Sequence, residues 1–258
     1  VVTNIMDKQT EIFFEIHSGL EREAPGSQES TKNAFEILKQ KEDPKLILDC
    51  GCGPGSHTRI ISEISNADIV AVDLHLPFLH SLKIKSAWIS KIYPLNADMS
   101  FLPFKDSVFD CVWSEGALYS IGLENALTKL KIFLKPGGFI CFSELVYFTG
   151  NFPQELDEYW KTFYPGIKTE EENLQLISTL GYETISYFRL PESDWIENYY
   201  KPLEEKIKLV KSKYKGDIYA EKVIELEEQE ISIYLKYKEF YGYGFYVIQR
   251  TNLSNSVI

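Results

Sequence analysis

The stretch Leu46-Ile47-Leu48-Asp49-Cys50-Gly51-Cys52-Gly53-Pro54-Gly55 constrains the fold more than any other part of the chain. An apolar run ends in a carboxylate, and three glycines follow at alternate positions. Ile60, Ile61 and Ile64 then fall on one helical face. Strand, glycine turn and helix make the first half of a βαβ nucleotide-binding unit. Glycine has no Cβ, so a ligand can pack directly on the backbone of such a turn. A dinucleotide fingerprint requires its last glycine one place later, where this chain has Ser56, and seats pyrophosphate on the helix N-terminus. The early glycine, with Asp49 facing the same turn, suits a cationic amine better than a phosphate.

Four further segments follow in order. Ile69-Val70-Ala71-Val72-Asp73 is a second apolar strand ending in an acid, about 20 residues beyond the turn, where a ribose-binding carboxylate is expected. Asn96-Ala97-Asp98-Met99 precedes Leu102-Pro103-Phe104. Phe109-Asp110-Cys111-Val112-Trp113-Ser114-Glu115-Gly116 reads as another strand and its following loop, and Leu134-Lys135-Pro136-Gly137-Gly138-Phe139 as a helix-to-strand turn. With the glycine turn, these segments resemble the ordered motifs of the class I S-adenosylmethionine-dependent methyltransferases over residues 45–145. Phe13–Leu20 and Glu115–Gly122 are similar to segments of small-molecule methyltransferases loosely related to the ubiquinone/menaquinone and glycine/sarcosine enzymes.

The resemblance implies an α/β fold, a Rossmann-like doubly wound sheet of about seven strands with the last antiparallel. A helical cap would come from the N-terminus and from a C-terminal insertion. Residues 1–44 are expected to be a helical lid segment, and 45–258 the methyltransferase domain with an insertion at about 191–240. Within the lid, Ile12, Phe13 and Ile16 give one helix ending near Gly19, and Ala34, Phe35, Ile37 and Leu38 a second. Thr169-Glu170-Glu171-Glu172 is a capping box opening a helix that Gly181 stops. Tyr182–Leu190 and Tyr243–Arg250 read as the last strands, with helices around Trp195–Tyr200, after Pro202 and over Asp217–Phe240 between them.

The same resemblance implies the site. Asp49 and the backbone of Gly51, Gly53 and Gly55 would hold the methionine part of S-adenosyl-L-methionine, and Arg22 its carboxylate. Asp73 would accept from the ribose hydroxyls and Leu74 would pack on the adenine. Asp98 would accept from the adenine amino group, while the Met99 N–H donates to the ring. Ser114 and Glu115 would face cofactor and substrate, with Glu115, Tyr119 and His17 as the candidate catalytic side chains. Each acid has a plainer reading: strand end and helix cap for Asp73, turn former for Asp98, structural hydrogen bonding for Glu115. Trp195, Tyr199 and Tyr200 form either an aromatic wall for a cationic amine or ordinary core.

Composition narrows the partners. A formal charge of −11 is opposite to what a nucleic-acid enzyme needs. The one basic run, Lys201–Lys215, is interleaved with Ile207, Leu209 and Val210 and preceded by Glu204 and Glu205, as a solvated helix face would be. The apolar runs are of strand length, so no membrane partner is expected, and the early acids argue against a signal peptide. Four cysteines in 258 residues make no disulfide framework, which fits a cytoplasmic compartment. Neither Cys50-x-Cys52 nor the four histidines complete a metal set. The expectation is therefore transfer of a methyl group to an unidentified small-molecule acceptor, by a monomer or a homodimer. A protein that binds the cofactor without turnover, and an NAD or nucleotide-sugar enzyme, remain open alternatives.

Overall fold

A computed structural model describes the backbone of residues 2–251, with side chains from residue 8. Its centre is one sheet. β1 (Leu46–Cys50), β2 (Asp68–Asp73), β3 (Ile92–Asn96), β4 (Phe109–Glu115) and β5 (Leu134–Tyr147) run parallel to one another. The short β6 (Lys168–Thr169) pairs with the end of β5. β8 (Tyr241–Arg250) lies antiparallel between β5 and β7 (Tyr182–Arg189), so the order is β3-β2-β1-β4-β5-β8-β7 with β6 off this path.

The central strands are apolar on both faces because helices cover both. Ile47, Cys111 and Cys141 point to one face, where they meet Ala34, Phe35 and Leu38 of α2 (Gln28–Lys39) and Ile61 of α3 (Ser56–Ile64). Leu48, Val112 and Phe142, one residue on in each strand, point to the other. There they pack on Ala126, Leu127 and Leu130 of α5 (Leu123–Phe133) and Ile177 of α7 (Glu170–Thr179). α4 (Leu76–Lys85) buries Leu79 and Leu82 against Ala71 and Ile92. The capping box forms as expected: the Thr169 hydroxyl accepts from Glu172 N–H at 3.2 Å and the Glu172 carboxylate accepts from Thr169 N–H at 2.8 Å.

The strand order reverses at β1, between β2 and β4, and the crevice at such a point is where ligands bind open α/β sheets. Above it stands the cap. α6 (Gln154–Phe163), α8 (Glu192–Trp195), a π-helical turn over Ile196–Tyr200, α9 (Lys201–Lys213) and α10 (Ile218–Tyr237) form its C-terminal part. α1 (Val2–His17) buries Ile12 and Ile16 and lies against α9 and α10. Of the three residues that mark this helix in the sequence, Phe13 is 39% exposed, so only Ile12 and Ile16 are buried. Among the described residues, no helix is long and apolar enough to cross a membrane.

Candidate functional site

The glycine turn leaves β1 with Gly51 at φ +72° and Gly55 at φ +85°, conformations that disfavour any Cβ. A Cβ on Gly51 would stand 2.3 Å from that of Ala117, and one on Gly55 2.2 Å from Leu82 Cδ1. Those two glycines therefore serve contacts within the protein. A Cβ at Gly53 would meet only Glu23 Cγ, at 3.5 Å, so this is the point where the backbone opens to a ligand. The opening is a cleft of about 170 Å³ between the turn, the loop after α1 and the loop after β4.

Behind the turn runs a chain of alternating charge. Asp49 is fully buried, accepting from Thr58 Oγ1 at 2.6 Å and bonded to His57 Nε2 at 3.0 Å. It does not line the cleft, and its two oxygens are taken by His57 and Thr58. Burial alone would lower the His57 pKa, but the charges of Asp49 and Glu115 outweigh it and raise it. His57 Nδ1 lies 3.9 Å from Glu115 Oε2, which takes Arg22 Nη1 at 2.7 Å. Glu115 Oε1 accepts from Thr31 Oγ1 at 2.8 Å and from Trp113 Nε1 at 3.0 Å. Burial pushes the Glu115 carboxyl up, but His57, Arg22, Thr31 and Trp113 hold it below its ordinary value. A carboxylate so fully engaged is a weak base. Glu115 borders the cleft as a structural hub, which favours the plainer reading of it as a hydrogen-bonding group.

Ser114 is the opposite case. It is fully buried and donates to Cys50 O at 2.7 Å, pinning β4 to β1, because strand alternation turns it away from the face that carries Trp113 and Glu115. The expected contact of Ser114 with ligand is corrected accordingly. Asp73 does border the cleft, its two oxygens accepting the N–H groups of Gly53 at 2.9 Å and His75 at 2.8 Å. Burial raises its carboxyl pKa against those two bonds. A carboxylate has roughly four acceptor positions, so two remain for hydroxyl groups.

Leu74, 70% exposed, and Asp98 and Met99, both half-buried, lie beyond the cleft wall. Asp98 Oδ1 caps its own turn by accepting from Ser100 N–H at 2.7 Å, and Met99 Cε stands 3.4 Å from the Gly51 Cβ position. The four cysteines are buried free thiols. Desolvation pushes the Cys50 and Cys52 thiols up, which makes redox or metal chemistry there unfavourable. Among the described residues, no group of three or more His, Cys, Asp or Glu side chains is arranged to hold a metal.

The loop after α1 contributes Glu21, Arg22, Glu23 and Ala24 to the cleft. His17 does not reach it. It is 3% exposed, with Nδ1 2.8 Å from Glu23 Oε2 and Nε2 3.6 Å from Glu227 Oε1. Burial lowers its pKa, but the two carboxylates override this and push it up to about 9. An imidazole raised this far favours its protonated form between the two carboxylates, with Nε2 in ion-pair but not hydrogen-bond reach of Glu227, which favours a packing role for His17 over a base. α1 meets the ligand edge elsewhere, through Phe14 stacked on His75 with ring centroids 3.7 Å apart.

Tyr119, 47% exposed, stands where the cleft meets a second cavity, and Glu23, Ala24 and Gly116 are also common to both. The second cavity is walled by Tyr119, Trp160, Tyr164, Trp195, Tyr199 and Tyr243, with Glu230 on α10. Of the three expected wall aromatics, Trp195 and Tyr199 line it, while Tyr200 packs behind and approaches Glu230 at 3.2 Å. Sequence reasoning misses His57, Glu23, Thr31 and Glu230. A signal existed for the last: Val223, Ile224, Ile231 and Tyr234 define the buried face of α10, and Glu227 and Glu230 fall on it at helical spacing.

Residues 48–142 match the family model described as a methyltransferase domain. This segment is a class I methyltransferase domain. The chain is 36% identical over 119 residues to a malonyl-acyl-carrier-protein O-methyltransferase of Pseudescherichia vulneris, covering 46% of this chain and 45% of that one. It is 31% identical over 144 residues to the ubiquinone/menaquinone biosynthesis C-methyltransferase UbiE of Wigglesworthia glossinidia brevipalpis, covering 52% and 53%. The chain spans about half the length of the curated relatives it matches. The fold likeness extends further. A Geobacter sulfurreducens S-adenosylmethionine-dependent methyltransferase, solved with S-adenosyl-L-homocysteine, superposes with a TM-score of 0.79 at 18% identity, over 92% of this chain and 97% of that one. The methyltransferase domain thus carries the glycine turn, Asp73, Asp98 and Glu115, and the cap lies outside the matched segment.

Proposed function

We propose that this protein transfers a methyl group from S-adenosyl-L-methionine to a small-molecule acceptor. The observation that carries the reading is the pairing of two joined cavities. One is bounded by the glycine turn and Asp73, the other by aromatic rings, and Tyr119, Gly116, Ala24 and Glu23 stand between them. The cofactor fits the first cavity on three counts: the open backbone at Gly53, the spare acceptor positions of Asp73, and the buried Glu23 Oε1, which has no hydrogen-bond partner. When bound, the cofactor supplies an electrophilic methyl group on a sulfonium.

Asp73 holds the ribose hydroxyls, and the methionine part lies against the open backbone at Gly53. His57 and Arg22 present positive charge to its carboxylate. Asp49 and Glu115 are positioning residues, fixing His57 and Arg22 by the bonds described above. The adenine lies outward, toward Leu74 and the turn of Asp98 and Met99. The protein's work is then alignment and exclusion of water, since a neutral nucleophile attacking a sulfonium disperses charge and needs little covalent help.

Incubation with labelled cofactor and a metabolite extract, followed by mass analysis, tests the reading. New species heavier by one methylene, about 14 Da, support it. Tight cofactor binding without any such species would make the protein a cofactor sensor instead.

A further inference from the structure

Thirteen residues line the second cavity, and none is Lys, Arg or His. Six of its rings are Tyr or Trp, held in place by one another. Tyr119 meets Tyr164 edge-on at 5.7 Å, and Trp195 packs on Tyr243 at 5.2 Å and stacks on Tyr234 at 4.2 Å. Glu23 and Glu230 are the charged side chains in the wall. Glu144 of β5, 1% exposed, lies behind the wall with its carboxyl pushed up to about 8 by burial, so at neutral pH Glu23 and Glu230 set the sign of the site. A carboxylate or phosphate entering here would meet like charges and the negative faces of the rings. A cation would meet favourable charges and cation–π attraction.

We propose that the methyl acceptor is an amine, bound in this cavity as its ammonium ion and deprotonated by Glu230. The inference rests on the cofactor reading above. In the balanced step, one ammonium proton passes to the Glu230 carboxylate and frees the nitrogen lone pair. That pair forms the new N–C bond while the C–S bond breaks and its electrons stay on sulfur. The product is an N-methylammonium ion and a neutral thioether. Glu230 suits the role because burial and the charge of Glu227, against the opposing effects of Tyr200 and His17, push its carboxyl up to about 7, close to the pH at which a base works best. The choice of an amine also separates this chain from the malonyl-acyl-carrier-protein relatives, which are named as O-methyltransferases.

Calorimetry of the full chain saturated with S-adenosyl-L-homocysteine, titrated with choline and with its uncharged isostere bearing carbon in place of nitrogen, tests the idea. Choline should bind at least about tenfold tighter, the ratio a desolvated cation–π site gives. Glu230→Gln should cut that preference at least about threefold and leave the affinity for the isostere unchanged. Equal affinity for the two probes, binding of neither, or tighter binding of a short-chain carboxylate would overturn the acceptor assignment while leaving the cofactor reading intact. Failure of S-adenosyl-L-homocysteine to bind would overturn both.

Discussion

His17 should make the docking of α1 depend on pH. The imidazole is 3% exposed and sits between Glu23 and Glu227, and its pKa rises from 6.5 to about 9. A raised folded-state pKa means that the native protein holds the proton more tightly than the unfolded chain. The stabilisation is therefore complete below the unfolded value of 6.5 and fades as pH climbs through about 9. At 1.36 kcal/mol per pH unit, the shift corresponds to about 3 kcal/mol. That figure is an upper value, because burial also raises the Glu23 carboxyl and keeping it ionised costs stability at neutral pH. His17→Gln removes the charge and keeps a polar group of similar reach. In urea denaturation at about pH 6 the variant should lose about 2–3 kcal/mol, or about 4–12 °C in melting temperature for a chain of this size. Near pH 10 the two proteins should be equally stable. A difference that stays constant across that range, or grows with pH, would refute a protonated imidazole and leave His17 as an uncharged packing residue.

Asp73→Ala should weaken S-adenosyl-L-methionine binding by about 1.5–3 kcal/mol, the scale of hydrogen bonds to a charged group; unchanged affinity in calorimetry, or tight NAD binding, would remove the ribose assignment. Gly55→Ala places a Cβ 2.2 Å from Leu82 Cδ1 at φ +85°, and should cost at least about 2 kcal/mol in chemical denaturation. Glu115→Gln strands Arg22 and His57 in a buried site and should destabilise by about 3–5 kcal/mol at neutral pH. Because the folded Glu115 pKa lies below the ordinary 4.5, the gap between wild type and variant should shrink as pH falls below that value. In the basic run, Lys201, Lys208, Lys211 and Lys213 pair with Glu197, Glu205, Glu228 and Glu15, so low-salt filter binding should detect no submicromolar complex with tRNA or duplex DNA.

Most of the sheet was legible because its strands carry their own signals, but β3, with Tyr93 and Pro94 exposed, and the two-residue β6 were not. Apolar runs bounded by glycine or acid mark β1, β2 and β4, and the Thr169 capping box marks α7 one residue at a time. The site was legible only where backbone geometry dictates residue type, as at the glycine turn and Asp73. Side chains whose role depends on partners far along the chain were not. Glu115 reads as a substrate-facing acid until Arg22, 93 positions earlier, is brought to 2.7 Å. His17 reads as either a packing side chain or a base until Glu227, on the long cap helix, comes within 3.6 Å. Ser114 fails for a smaller reason, one step of strand alternation. No periodicity rule reports on such pairings, because they are made by the docking of the cap.

That docking also accounts for the division of the cleft. β1 and β4 supply Asp49 and Glu115 as fixed negative charges at the strand ends, while α3 and the loop after α1 supply His57 and Arg22 as the compensating positive ones. Removing any one member leaves its neighbour charged in a buried site, so the four stand or fall together. Arg22 is the one member on the cap side of the crevice, and its bond to Glu115 holds the α1 loop against the sheet. Glu23, the next residue, is thereby set at the junction of the two cavities, with one oxygen committed to His17 and the other unpartnered. A negative charge at that junction favours a sulfonium on one side and an ammonium on the other. On the proposed reading, the same loop borders the cofactor cleft and sets the charge that an acceptor meets.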